Sequence, residues 1–312
     1  MYDMKEFATQ LKNINFNLKN KYKDYFNISK EEFKQSMTSK VGTFYPLKKL
    51  QQGELKALGE VVGVDGSTNR VGGAYPHYIE LFQGLAKSTN GREVYLTEIY
   101  TPILSTTMDE EQNRQKLLAS IEVEATIEYI HQYSPSIIMM DGGFIRYKIN
   151  CFDLWRELRD LCEEKDILLF GIIKDIKTNI ISNALELENN IFDREILYNQ
   201  LKIGELFLID NEVNKKYLES GEGFSSAFMR LSSFPGVVGL DILESQQNQI
   251  VTLANLSYTL TPDRSRGVPL WLDIVDSEVK ITDSMIHGLL EEYMDRDIYE
   301  RFFVSERDKR TL

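Results

Sequence analysis

Two aspartates stand where metal chemistry would want them. Asp65 closes the run Val61-Val62-Gly63-Val64-Asp65-Gly66-Ser67, and Asp141 closes Ile137-Ile138-Met139-Met140-Asp141-Gly142-Gly143. An apolar run that stops at a carboxylate in a glycine turn reads as a buried strand delivering one charge to a sheet edge. Two such acids can share a divalent metal. With a third and fourth carboxylate they would hold two ions about 3.5–4 Å apart, the arrangement that activates water for phosphodiester hydrolysis. Magnesium or manganese suits a cage of hard oxygen donors.

Candidates for the remaining corners lie on helices. A long helix is expected from a capping box at Thr107-Met108-Asp109-Glu110 to about Tyr133, with Leu117, Leu118, Ile121, Ala125 and Tyr129 on its buried face. Taking Ile121 as the centre of that face, Glu122 and Glu124 flank it on either side and Glu128 lies nearer the stripe. Glu124 is the favoured ligand. Near the end of the chain, Asp273 and Asp276 follow the apolar Pro269-Leu270-Trp271-Leu272, and Asp276 is the favoured fourth acid. Cations in turns near these motifs are Arg70, Arg146, Lys148, Arg264 and Arg266; of these Arg70, Arg146 and Arg266 are the expected DNA contacts. The three histidines, His77, His131 and His287, take no role.

The elements that must carry these residues follow from the periodicity. Residues 1–55 form a helical N-terminal arm, its second helix opened by the capping box Ser29-Lys30-Glu31-Glu32. That arm reads either as an amphipathic pair packed on the core or as a DNA-touching or dimerising element. Residues 56–312 form one domain. Three strand-like runs, Glu60–Asp65, Tyr78–Ser88 and Glu93–Ile103, make an antiparallel meander, with Asn90-Gly91 as a hairpin turn. Helix, strand 137–141, helix and strand 167–173 come next, and strands joined through helices favour parallel pairing. A mixed α/β sheet in this order, with acids at these places, is ribonuclease H-like. The stretch from about 178 to 262 reads as a β-rich insertion or lateral sheet extension, with strands at 225–232, 237–243 and 250–260. Helices follow over 268–275 and 284–294, and the charged end, 301–312, is expected to fray.

The net charge of −12 is uneven: residues 1–50 hold ten lysines against five acids, so the rest carries −17. Phosphate binding usually leaves a basic footprint, but a metal-dependent nuclease spends carboxylates on its ions. Nucleic acid is therefore permitted by the charge and not proposed by it. No window approaches the roughly 18 apolar residues of a membrane span, and the acid-bearing N-terminus does not read as a signal peptide. Cys151 and Cys162 are too few and too isolated for a zinc site and read as buried thiols in a reducing compartment. A cytoplasmic protein is expected.

The combination of VVGVDGSTNRVGG, the helix before IIMMDGG, GIIKDIKT at 171–178 and RGVPLWLDIVD at 266–276 resembles the NurA nucleases. The resemblance implies a ribonuclease H-like, manganese-dependent (or magnesium-dependent) enzyme acting on DNA ends and single strands. It implies a partner too, the hexameric ATPase HerA, and a homodimer. On this chain it makes Asp65 and Asp141 the central metal ligands, Glu124 the helical one and Lys174 a lysine able to hold a phosphate. Where that family usually shows an aromatic residue and then a histidine, this chain has Val268 and Asp276; aspartate still ligates manganese.

Two other readings compete. An actin-like phosphotransferase or ATPase also opens on an aspartate-glycine turn, but needs a second glycine-rich phosphate turn that the pattern does not supply. A catalytically weak adaptor of a HerA-like ATPase would keep the fold without the chemistry. Against it, a cluster of buried like charges is costly to retain unused.

Overall fold

The structure is a computed structural model and describes residues 4–23, 29–105, 110–187, 191–214 and 223–304. In chain order the elements are α1 (Met4–Lys21), α2 (Lys30–Lys40), β1 (Gly42–Pro46), α3 (Gln52–Ala57), β2 (Val61–Gly72), β3 (Tyr78–Ser88), β4 (Glu93–Tyr100) and α4 (Glu110–Tyr133). Then come β5 (Ile137–Asp141), α5 (Phe144–Asn150), α6 (Phe152–Glu164) and β6 (Leu168–Ile173). After two short helical turns follow β7 (Glu205–Ile209), β8 (Phe224–Arg230), β9 (Val238–Leu243), α7 (Ile250–Thr259), α8 (Leu270–Val279), α9 (Asp283–Tyr293) and α10 (Arg296–Phe302).

The described strands form one mixed sheet in the order β1-β7-β8-β9-β6-β5-β2-β3-β4. Its half from β4 to β6 is the expected ribonuclease H-like order: β2–β3–β4 antiparallel, β5 parallel to β2, β6 parallel to β5. The β3–β4 hairpin turns at Asn90-Gly91, where Gly91 adopts φ +83°. Strands β7, β8 and β9 continue the same sheet past β6, all antiparallel.

Side chains alternate between two covered faces, as a strand requires. On one face Val62, Val64, Ile138 and Met140 pack under Ala119 and Val123 of α4 and Phe144, Tyr147 and Trp155 beyond it. On the other, Val61, Ile137 and Met139 pack under Leu253 and Leu256 of α7 and Leu272 of α8. Both faces being dry explains why β5 is apolar throughout instead of alternating.

Four sequence expectations differ. The strand expected over Glu60–Asp65 does not stop at the acid: β2 stays paired with β3 as far as Gly72, so Gly66 lies in the strand and not in a turn. The N-terminal arm is not all helix, because Gly42–Pro46 is an edge strand paired with β7; a Cβ at Gly42 would lie 1.9 Å from the Leu208 carbonyl oxygen, and Pro46 ends the pairing. The expected strand at 250–260 is helix α7. Its β-branched residues suggest a strand, but Ile250, Leu253, Ala254 and Ser257 are buried at helical spacing, and Ser257 and Thr259 donate their hydroxyls to carbonyls four residues back. Helix α8 begins at Leu270, after Pro269, and runs on to Val279, so Asp276 is interior to it. The capping box at Ser29 forms as expected, with Ser29 and Glu32 exchanging side-chain and backbone hydrogen bonds. The one expected over 107–110 falls largely outside the described residues, as does most of 301–312.

Candidate metal centre

The parallel pairing of β2 with β5 aligns Val61 with Ile137 and ends at Val64 with Met140. The next residues on the two strands are Asp65 and Asp141. Adjacent strands lie about 4.8 Å apart, so the two acids stand side by side on the same face, Asp141 at the carboxyl end of β5 and Asp65 where the β2–β5 pairing ends, with β2 itself running on to Gly72. Gly63, two residues before Asp65 and on that face, lies under Trp271 and Val275 of α8. Gly66, on the opposite face, lies under Glu122 of α4: a Cβ there would stand 2.5 Å from Glu122 Oε1. Gly84 faces Gly66 across the β2–β3 pair, and a Cβ on it would stand 2.5 Å from the Ile121 carbonyl oxygen. This glycine pair lets α4 descend until Glu122 reaches β2 beside Asp65.

Glu122 is 1% exposed. It accepts a hydrogen bond from the Tyr147 hydroxyl at 2.7 Å and an ion pair from Arg146, both on α5. The Arg146 guanidinium lies 4.7 Å from the Tyr147 ring centroid. Asp65 accepts the Gly66 N–H through Oδ1 at 2.8 Å. Asp141 pairs with Lys174, which follows β6 two residues beyond the strand partner of Asp141, Ile172.

Burial pushes all three acids upward. Asp65 rises well above the carboxylate range, first from desolvation and then from the charges of Asp141 and Glu122, with Lys174 opposing. Desolvation also raises Asp141, against the pull of Lys174. Glu122 is raised to about 7 by burial, offset by Arg146 and the Tyr147 hydrogen bond. Two carboxylate oxygens, Asp65 Oδ2 and Glu122 Oε1, are buried without a hydrogen-bond partner. Buried polar atoms are rarely left so, and orphaned carboxylate oxygens from adjoining elements fit a hard divalent cation. Among the described residues, however, no three acids, histidines or cysteines already enclose one point.

The model of the NurA domain matches residues 59–281, well over half the chain. The chain belongs to the NurA family. Its fold is similar to that of the NurA nuclease from Sulfolobus solfataricus, at 12% identity over 94% of this chain and 96% of that one, with a TM-score of 0.64. It is also similar to a NurA structure bound to dAMP and manganese, at 12% identity over 95% and 99% of the two chains, with a TM-score of 0.54. No curated protein sequence matches it. Family and fold together support a nuclease.

In this NurA chain the structure brings Asp65, Asp141 and Lys174 together, and places Glu122 with them instead of Glu124. Glu124 is exposed, and its carboxyl is raised by partial burial and then by the charge of Glu98 of β4, not by either aspartate. The reason is helical phase. The buried face of α4 comprises Ala119, Ile121, Glu122, Val123, Ala125, Thr126, Tyr129 and Ile130; Ile121, Ala125 and Tyr129 are buried as expected, but at about 100° per residue the face is centred on Glu122 and Ile121 lies at its margin. Ala119, Val123, Thr126 and Ile130, recurring with Glu122 at i, i+3, i+4, i+7 and i+11, are the sequence feature that marks this phase. Glu128 is exposed too and bonds Gln132.

Asp276 is exposed and Asp273 half-buried, paired with Arg266. The hydrogen bond that Arg266 donates to Asp273 raises its guanidinium, and the charges of Asp141 and Asp276 add to it. Arg146 lies within the cluster. Arg70 does not: five residues along β2 from Asp65, about 17 Å on an extended strand, it pairs with Glu110 at 3.0 Å. Cys151 and Cys162 are free and buried, as expected.

Sequence reading also passed over Asp241, a fully buried acid of β9. It accepts from Ser226 Oγ at 2.7 Å and from the Phe144 N–H at 3.1 Å, and burial raises it to about 6. It thereby pins the start of α5, just beyond the Asp141-Gly142-Gly143 turn. A lone acid inside the apolar run VGLDIL was its only mark in the sequence.

Proposed function

We propose that this chain is a metal-dependent DNA nuclease, acting as an exonuclease and as an endonuclease on single strands. The observation that carries the reading is the side-by-side emergence of Asp65 and Asp141 from β2 and β5, with orphaned buried oxygens on Asp65 and the adjoining Glu122. Asp65, Asp141 and Glu122 would hold manganese or magnesium, with Asp276 of α8 as the outer acid. Two such ions, when bound, supply an activated water and stabilise the attacking and leaving oxygens. The chain's own cations do the rest. Lys174 and Arg146 hold the phosphate against the acids, while Arg266, and farther off Arg70, hold neighbouring parts of the DNA backbone.

Family membership supports the wider setting: a homodimer working in the cytoplasm with a HerA-like hexameric ATPase, in DNA end processing or in defence. Among the described residues no helix is long and apolar enough to cross a membrane.

The test is purified protein with labelled single-stranded and linear duplex DNA in Mn²⁺, beside Asp65→Ala and Asp141→Ala. Cleavage by the wild type and its loss in both variants are expected. Undiminished cleavage in the variants would overturn the site, and no cleavage by the wild type, even with the ATPase present, would overturn the enzyme reading.

A further inference from the structure

Asp141 and Glu122 are each answered by a cation from a different element. Lys174, after β6, pairs with Asp141, and Arg146, on α5, pairs with Glu122. The influence of each goes further: Lys174 also acts on Asp65, and Arg146 on Asp141. The cations are the more accessible partners. The Lys174 and Arg146 side chains are 21% and 36% exposed, against 13% and 1% for Asp141 and Glu122. They therefore stand on the solvent side of the acids they neutralise. Nor is Arg146 saturated there, since its Nε is buried without a hydrogen-bond partner.

We propose that Lys174 and Arg146 are exchangeable counter-ions, so that metal loading and phosphate binding are positively coupled. This rests on the nuclease reading above and concerns the regulation of the same site. In the arrangement described, a divalent cation approaching the acids meets two positive charges already seated on them. Both are repelled by it, and Lys174 also occupies an Asp141 oxygen it needs, while Arg146 holds the Glu122 oxygen next to the unpartnered one. A phosphate arriving from solvent offers the two cations another anion. Arginine binds phosphate as a planar fork and lysine as a point charge, and either leaves a carboxylate readily for it. Turning toward the phosphate, they free Asp141 and Glu122. Coupling of this kind is reciprocal, so metal tightens phosphate binding as much as phosphate tightens metal. The centre would stay weakly loaded until nucleic acid arrives, which suits a nuclease that must not cut indiscriminately.

The experiment measures Mn²⁺ binding to the full chain by the electron paramagnetic resonance signal of free Mn²⁺, without DNA. Wild type, Lys174→Gln and Lys174→Arg are compared, each with and without saturating dAMP as the phosphate probe, after correction for Mn²⁺ bound by dAMP itself. Glutamine keeps the stem and removes the charge; arginine keeps the charge. Lys174→Gln is expected to bind Mn²⁺ about tenfold more tightly than wild type, ~1.4 kcal/mol, and Lys174→Arg like wild type. Addition of dAMP should tighten Mn²⁺ severalfold in the wild type and little in Lys174→Gln. Equal or weaker Mn²⁺ binding by Lys174→Gln would overturn the proposal, as would equal tightening by dAMP in both proteins; the nuclease reading would survive either result. Absence of Mn²⁺ binding by all three proteins would overturn both.

Discussion

Replacing Glu122 by glutamine separates the chemistry of this acid from its cost to the fold. Burial raises Glu122 from 4.5 to about 7. At pH 8 the native protein must therefore hold a charge that the unfolded chain carries more easily. A shift of that size corresponds to about 3 kcal/mol. The sign follows from proton counting. Between pH 4.5 and 7 the native state holds the proton and the unfolded state does not, so stability contributed by the neutral acid is full at low pH and lost as pH rises through about 7. Glutamine mimics the neutral acid at every pH. Without metal, Glu122→Gln should thus be more stable than wild type at pH 8, by up to ~3 kcal/mol, and equal to it near pH 4.5. Urea denaturation in EDTA at the two pH values measures this. In the same variant Mn²⁺-dependent cleavage of single-stranded DNA should fall about 100-fold, ~2.7 kcal/mol of barrier, because a charged ligand is gone. Glu124→Gln, on the exposed face beside Glu98, should change neither quantity beyond the scatter of surface substitutions, about 0.5 kcal/mol. Retention of activity in Glu122→Gln, or a loss confined to Glu124→Gln, would refute the assignment. Lower stability of Glu122→Gln at pH 8 would refute the account of its burial.

Gly66→Ala should cut activity at least tenfold and destabilise by about 1–3 kcal/mol, since the new methyl group would stand 2.5 Å from Glu122 Oε1 and 2.7 Å from its Cγ; thermal melting and cleavage rates measure the two effects, and wild-type activity would mean that α4 does not press on β2. Tyr147→Phe removes the hydroxyl that holds the charged form of Glu122, so Glu122 titrates higher and the pH at which Mn²⁺ binding sets in moves up; an unmoved or lowered onset would count against that hydrogen bond.

The central strands were legible because their chemistry is local. Asp65 and Asp141 each close an apolar run just before a glycine, and Asn90-Gly91 announces its own hairpin. The choice between Glu122 and Glu124 was not local. It depends on Gly66 and Gly84 facing each other across two strands, a pairing that sets where α4 sits and that no window around residue 122 contains. Burial of α4 over more than half its circumference, at Ala119, Ile121, Glu122, Val123, Ala125, Thr126, Tyr129 and Ile130, also blurred the stripe from which its phase was read. Helix α7 misled for a related reason: its β-branched residues prefer strands, and only tertiary packing on both sides of its stripe overrules them. β1 was hidden because five residues at a sheet edge, GTFYP, carry almost no pattern of their own.

The pairing of β1 with β7 has a consequence for how the chain assembles. Gly42 meets Ile209 across that edge, whereas β2 to β6, which carry Asp65 and Asp141 and end just before Lys174, span only residues 61–173. On the ribosome, β1 emerges early and has no partner until β7 follows. The strands around the acids can pair first, through shorter loops that lose less entropy on closure. The order of synthesis thus favours completing the half that carries the acids before the sheet is sealed at its far edge. Until then β1 is an unpaired strand, open to the wrong neighbour.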